Sequence, residues 1–327
     1  MKALIYTGPE TLALAVAKPP TPASGEVLIE VEAAGICGSD MHAYLGHDER
    51  RPAPLILGHE AAGTIVKGPR KGERVAINPL VTCGHCRYCL DGRDNLCIER
   101  QIISMPPREG AFAEMIAMPE RNLVPVPDGV PPSKAALTEP LACGWHAVKL
   151  AERALTRPLS ETRCLVLGGG AIGLGAALAL AANGAADIRI TDANPERRKA
   201  LTAAGPFEVR DAAMPAGPAE LVVDAVGIAA TRSAAFETVT PGGVIMHIGL
   251  GSAEGGLNAR RATLQEITFI GTYTYTAQDF RETAAAIFDG RLGPLDWTEE
   301  RALSDGPAAF RDLLEGKVAA PKIVLHP

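Results

Sequence analysis

Cys164-Leu165-Val166-Leu167-Gly168-Gly169-Gly170-Ala171-Ile172-Gly173 reads as a short apolar strand, a glycine turn of the form Gly-x-Gly-x-x-Gly, and the opening of a helix. The hexamer alone also fits an ordinary strand-to-helix turn. Its place after a strand and before the apolar stretch 171–183 is the context that a dinucleotide site requires. Gly168 suits the tight turn, Gly170 lets the backbone approach a pyrophosphate, and Gly173 permits close packing of helix on sheet. The amides at the helix start, those of Ala171 and Ile172 among them, offer donors to phosphate. Asp192 follows Gly173 by 19 residues, near the spacing of an acid that binds the adenosine ribose hydroxyls. A carboxylate there repels a 2′-phosphate, so NAD is expected over NADP. Arg197 and Arg198 could soften that preference, but they read better as a solvated helix face.

Outward from this stretch the chain alternates strand and helix. The strands 188–191, 221–224, 244–248 and 267–270 are separated by helical segments from Asn194 and over 229–239, the pattern of a parallel sheet with helices on both faces. Before it, roughly the first 145 residues are rich in Gly and Pro and carry short alternating runs such as Val27–Val31 and Arg74–Ile77, a β-rich, barrel-like texture. After it come a helix over 278–288, a polar stretch and a terminal strand 322–325, too short a tail for its own core. The expected division is 1–147 for the β-rich domain, 148–273 for the nucleotide-binding domain, and 274–327 for a return to the first.

Composition narrows the class. The chain has 327 residues, 47% apolar and 21% charged, a balance that supports a sizeable core. Its net charge is -6 and no basic stripe is present, which argues against a nucleic-acid or anionic-membrane partner. The apolar stretch around 171–182 is shorter than a bilayer span, and Met1–Tyr6 reads as a strand rather than a signal peptide. A cytoplasmic protein is expected. Its seven cysteines suit metal better than disulfides.

Cys83-Gly84-His85-Cys86-Arg87-Tyr88-Cys89, then seven residues to Cys97, is the most specific motif. Two-residue gaps let thiolates converge on one ion, and four sulfurs close a tetrahedral shell with no open position, the signature of a structural zinc. A redox dithiol usually sits beside a βαβ unit; an iron–sulfur cluster also takes four thiolates. A second constellation joins Gly35-Ile36-Cys37-Gly38-Ser39-Asp40-Met41-His42 to Gly58-His59-Glu60. Cys37, His59 and Glu60 offer a thiolate, an imidazole and a carboxylate, donors a catalytic zinc accepts while keeping one position open. Ser39 and His42 place a hydroxyl and an imidazole where they could carry a proton. Read alone, this grouping also fits buried packing.

With both metal motifs and the glycine turn in this order, the chain resembles the zinc-dependent medium-chain dehydrogenases, the alcohol and sorbitol dehydrogenase family, over essentially its whole length. Glu139-Pro140-Leu141 looks like the Glu-Pro-Leu segment of the sorbitol dehydrogenase branch. The resemblance implies a GroES-like catalytic domain and a Rossmann domain, an α/β architecture. It implies one catalytic and one structural Zn2+, with Cys37 and His59 as catalytic ligands and Glu60 and Glu139 as ligand or near neighbour. It implies Asp40 as the residue orienting His59, and Ser39 and His42 as a proton relay by way of the cofactor ribose. It implies a homo-oligomer, dimer or tetramer, and the strand 267–270 would be an edge suited to pairing. The implied reaction is hydride transfer between a secondary alcohol, polyol or sugar-derived, and NAD. Alternatives are a carbonyl reductase working in reverse and a nucleotide-binding protein without turnover. Two connections, 66–73 and 205–220, are shorter than in many relatives. Sorbitol-type members often carry Phe-Arg-Tyr where this chain has Tyr273-Thr274-Tyr275, a departure that bears on the substrate. Cys143 and Cys164 read as buried thiols without a role.

Overall fold

The structure is a computed structural model describing residues 1–327. It divides into two compact units, Met1–Glu139 with Thr276–Asp289 and Thr298–Pro327, and Pro140–Tyr275 with Gly290–Trp297. The helix Thr138–Ala154 gives its first residues to one unit and the rest to the other, so residue 147 lies within a helix. Residues 140–147, 274–275 and Gly290–Trp297 group with the second unit, whereas the expected division places 1–147 and all of 274–327 with the first. No helix is long and apolar enough to cross a membrane.

In the first unit, the strand Glu26–Gly35 alternates as a half-buried strand must: Val27, Ile29 and Val31 are buried and Glu30 faces out. Burial of each such side chain contributes roughly 1.5–3 kcal/mol. This strand is central to a seven-stranded sheet whose path runs Leu123–Pro125, Arg74–Ile77, Glu60–Lys67, Glu26–Gly35, Lys322–His326 and Thr298–Ala302, with Met115–Pro119 pairing to Glu26–Gly35 off that path. Its last residue, Gly35, lies opposite Glu60 on one side and Val324 on the other. That register brings the segment leading to Cys37, the start of the Glu60 strand and the chain's last strand together at one end of the sheet. Phe310, Tyr44 and Phe112 fill the core beneath, with ring centroids 5.2 and 6.0 Å from Phe310. The cysteine lobe is tied in by Asp94, whose carboxylate accepts the amide of Ala277 at the start of the helix Ala277–Phe288.

The second unit is a six-stranded, wholly parallel sheet in the order Glu208–Asp211, Asp187–Asp192, Arg163–Leu167, Ala219–Asp224, Val239–His247, Thr268–Gly271. The helix Ala171–Ala182 is apolar all round and largely buried. Parallel strands are usually joined by a crossover helix of a dozen residues or more, yet only Ala212–Pro218 joins Glu208–Asp211 to Ala219–Asp224. Two arginines pin this strap in place of helix packing. Arg189 donates to the carbonyls of Ala216 and Pro218, and Arg210 to those of Pro215 and Ala216. Ala216 packs against the cluster of Leu165, Leu167 and Val222, and a groove of about 680 Å³ stays open beside it.

Candidate active site

Cys37 ends an extended stretch and caps the short helix Gly38–Tyr44, its amide donating to the carboxylate of Asp40 at 3.0 Å. The other Asp40 oxygen accepts the amide of Gly58 at 3.3 Å and stands 3.3 Å from Nδ1 of His59. One buried carboxylate therefore ties both metal-motif segments together and sits beside Nδ1 of His59, so Nε2 is the ring nitrogen that a metal would take. Ligand atoms of Cys37, His59 and Glu60 lie within 4.8 Å of one another. Burial opposes charge on His59, but Asp40 and Cys37 beside it raise its pKa well above the usual imidazole value. Burial pushes Asp40 up, yet His59 and Arg51 hold it below the ordinary carboxylate value. The field here favours positive charge, and the donor set suits zinc.

Glu60 is fully buried. One of its oxygens accepts the ammonium of Lys322 at 2.6 Å, and the other, Oε2, has no partner, as expected of an oxygen left for an ion. Lys322 also donates to the carbonyl of Ile36 at 2.9 Å. Burial lowers the pKa of Lys322, but Glu60, Cys37 and Glu139 outweigh it and keep the ammonium charged. Glu139 is thus near enough to act on Lys322 but stands outside the group formed by Cys37, His59 and Glu60. Lys322 is a site residue the sequence did not disclose: it sits 262 residues from Glu60, in what reads as a plain terminal strand. Ser39 Oγ lies 3.5 Å from Nε2 of His59, whereas His42 is exposed one turn further along the helix.

The four lobe cysteines also bring their sulfurs within 4.8 Å of one another. Separations of 3.5 Å for Cys86–Cys89 and 3.9 Å for Cys83–Cys89 are far from a disulfide bond, and none of the seven cysteines is in a disulfide. The amide of Cys89 and the neighbouring thiols bring Cys86 down to about 7, while burial pushes Cys89 up to about 12. Thiols crowded in this way compete for charge that a single Zn2+ would satisfy.

In the second unit, Gly168 adopts φ +92° and its amide donates to Thr191 O at 2.8 Å. A Cβ on Gly173 would lie 1.8 Å from the Gly168 carbonyl oxygen, so helix and turn touch there through backbone alone. Nothing lies within 4 Å of the corresponding position on Gly170, which leaves that backbone open to a ligand. Asp192 accepts the amides of Gly169 at 2.8 Å and Asn194 at 2.7 Å, locking its carboxylate at the end of the second strand. Arg197 and Arg198 do not form a simple solvated face. Arg197 reaches within 3.7 Å of Asp192, and Arg198 donates to the Asp192 and Ala193 carbonyls and pairs with Asp211 at 2.8 Å. Thr274 departs in another way: it holds φ +47°, uncommon for a β-branched residue, with its hydroxyl buried and unpartnered.

Residues 23–128 match the alcohol dehydrogenase GroES-like domain and residues 171–289 the zinc-binding dehydrogenase domain. The L-galactonate-5-dehydrogenase of Escherichia coli is 32% identical over 309 residues, covering 89% of this chain and 88% of that protein. The sorbitol dehydrogenase of Bacillus subtilis is 34% identical over 327 residues, covering 92% and 90%. This chain belongs to the zinc-dependent medium-chain dehydrogenases. A solved structure of acetophenone reductase from Geotrichum candidum in complex with NAD superposes with a TM-score of 0.89 at 27% identity, covering 100% of this chain and 97% of that one. As a medium-chain dehydrogenase the protein is an oxidoreductase, combining a GroES-like and a Rossmann-type domain.

For this dehydrogenase, Gly173→Val forces the turn and helix apart, because the added Cβ meets backbone rather than a side chain that can move. Overpacking of this kind costs about 1–3 kcal/mol. If that strain falls on the turn, the dissociation constant for NADH rises by about tenfold or more. Titration by cofactor fluorescence checks it, and unchanged affinity would show that the glycine turn is not the phosphate site.

Proposed function

We propose that this enzyme transfers hydride between a secondary alcohol, of polyol or sugar-derived type, and NAD. The observation that carries this reading is the convergence of Cys37, His59 and Glu60, with Ser39 Oγ 3.5 Å from the histidine. Cys37 and His59 would hold the catalytic zinc, with Glu60 or Glu139 completing or flanking the set; Cys83, Cys86, Cys89 and Cys97 would hold the structural one. Gly168, Gly170, Ala171, Ile172 and Gly173 would cradle the pyrophosphate and Asp192 the ribose. When bound, zinc supplies a Lewis acid that makes an alcohol acidic near neutral pH, and the nicotinamide supplies the hydride acceptor.

The chain's own part is positional. Asp40 fixes the His59 tautomer, and Lys322 restrains Glu60 while leaving Oε2 free. Ser39 takes the proton the alcohol loses and releases its own outward toward His42. Two of the three named relatives, by their names, act on galactonate and sorbitol, which favours a polyhydroxylated substrate over a simple ketone such as acetophenone. Thr274, in place of the arginine of sorbitol-type members, argues for a substrate other than sorbitol itself.

A cytoplasmic setting suits a lobe of four reduced thiols. The edge strand Thr268–Gly271, with Phe269 38% exposed and Leu264 and Leu257 exposed nearby in sequence, is where a second copy would pair.

A panel of secondary alcohols, polyols and aldonates, run with NAD and NADP in parallel, tests the reading by absorbance of reduced cofactor. NADH is expected to form with at least one polyhydroxylated member. Because the Asp192 carboxylate faces a 2′-phosphate unfavourably, kcat/KM with NADP is expected to be lower by at least about tenfold. No reduced cofactor with any member, in protein loaded with zinc at both sites, would overturn it.

A further inference from the structure

Arg51 lies outside every motif, yet it is only 3% exposed and its guanidinium is aimed at Ser39. Nε donates to the carbonyl of Ser104 at 3.0 Å. Nη1 donates to the main-chain carbonyl of Ser39 at 3.0 Å and to the carboxylate of Asp48 at 2.9 Å. Ser104 holds φ +65°, a left-handed conformation. These three bonds fix the plane of the fork and leave Nη2 directed at Ser39 Oγ, 3.5 Å away. Asp48 is in turn gripped by Arg50 at 2.8 and 3.0 Å, so one anchor of Arg51 is itself held.

We propose that Arg51 is a positioning residue for proton transfer: it clamps Ser39 through its backbone and sets the direction in which the Ser39 hydroxyl hands on its proton. The inference rests on the relay role proposed for Ser39. A hydroxyl has one proton to donate and two lone pairs to accept with. With the Nη2 side of Oγ facing an N–H group, one lone pair remains for the proton leaving the alcohol, and the hydroxyl's own proton is left to depart outward. At 3.5 Å the Nη2 contact is at the long limit of a hydrogen bond, so the shorter bond to the Ser39 carbonyl does the positioning. The nearby positive charge disfavours a doubly protonated Ser39 oxygen, so arrival and departure of the proton are coupled. A lysine in the same place keeps the charge and loses the planar fork.

The test is a double-mutant cycle on zinc-loaded enzyme. Arg51→Gln is expected to lower kcat by about tenfold or more, with KM within about threefold and zinc content unchanged. Arg51→Lys is expected to fall between it and the parent. In a Ser39→Ala background, Arg51→Gln is expected to change kcat by less than about twofold, because the group it acts through is gone. An equal factor in both backgrounds, or an unaltered kcat for Arg51→Gln, overturns the proposal. Loss of zinc or of folded protein in both Arg51 variants overturns it too, by assigning Arg51 to the fold. Full turnover by Ser39→Ala alone would instead remove the relay reading itself.

Discussion

Alanine in place of Cys37 leaves a folded protein that binds NADH but turns over its alcohol about a thousandfold more slowly, or worse. Lewis-acid assistance is worth several kcal/mol to a transition state, and each 1.36 kcal/mol is a factor of ten in rate. The thiolate is the one sulfur donor among the three ligand atoms that lie within 4.8 Å, and no other cysteine belongs to that group. Fold should survive the change. Cys37 is only partly buried, and the bond that caps its helix is made by its amide, not its sulfur. Metal analysis separates the two sites: the catalytic ion is lost and the lobe keeps its own. A variant retaining a tenth of parental kcat at full metal content would show that Cys37 does not hold the catalytic ion.

Lys322→Ala is expected to cost about 3–5 kcal/mol, because it strands the Glu60 carboxylate without its partner in a dry interior. Both groups are buried, 5% and 0% exposed, and the ammonium is also bound by the Ile36 carbonyl. Neutralising both members together, as Glu60→Gln with Lys322→Met, removes the uncompensated charge and should recover most of the loss. The cost should be largest without metal, since an ion at Oε2 of Glu60 compensates the same charge. Urea unfolding of metal-free protein, followed by a probe within the first unit, reads the effect, since a chain of two units need not unfold in one step. A change below about 1 kcal/mol would mean that water reaches Glu60 and screens it.

What could be read from the residues depended on how far apart the cooperating groups lie. The glycine turn is local: strand, turn and helix are contiguous, and the strands 164–167 and 221–224 fall within those observed. The cysteine lobe is equally local, four thiols within fifteen residues. Cys37 and His59 stand in short motifs with distinctive donors, but their reading as a pair rests on the family resemblance, since the same residues also fit buried packing. Lys322 and Arg51 were not legible, since a lysine in a terminal strand and an arginine in a Pro-rich turn carry no periodic or spacing signal. Their roles arise from partners supplied by other segments. Thr298–Ala302 likewise carries no strand signal: Thr-Glu-Glu-Arg-Ala lacks apolar alternation, and it is a strand because Lys322–His326 pairs with it. The strap Ala212–Pro218 was visible as a short connection, but its arginine tethers were not.

The pairing of Val324 and Leu325 with Gly35 and Ala34 has a consequence for how the molecule is made. A ribosome delivers the early strands of the first sheet long before the strand that lies beside them, and the whole parallel-sheet unit emerges in between. That intervening unit can mature while synthesis continues. The thiolate, imidazole and carboxylate meanwhile wait without their ammonium counter-charge, so nascent chains stalled before residue 322 should be the ones most exposed to proteases and chaperones.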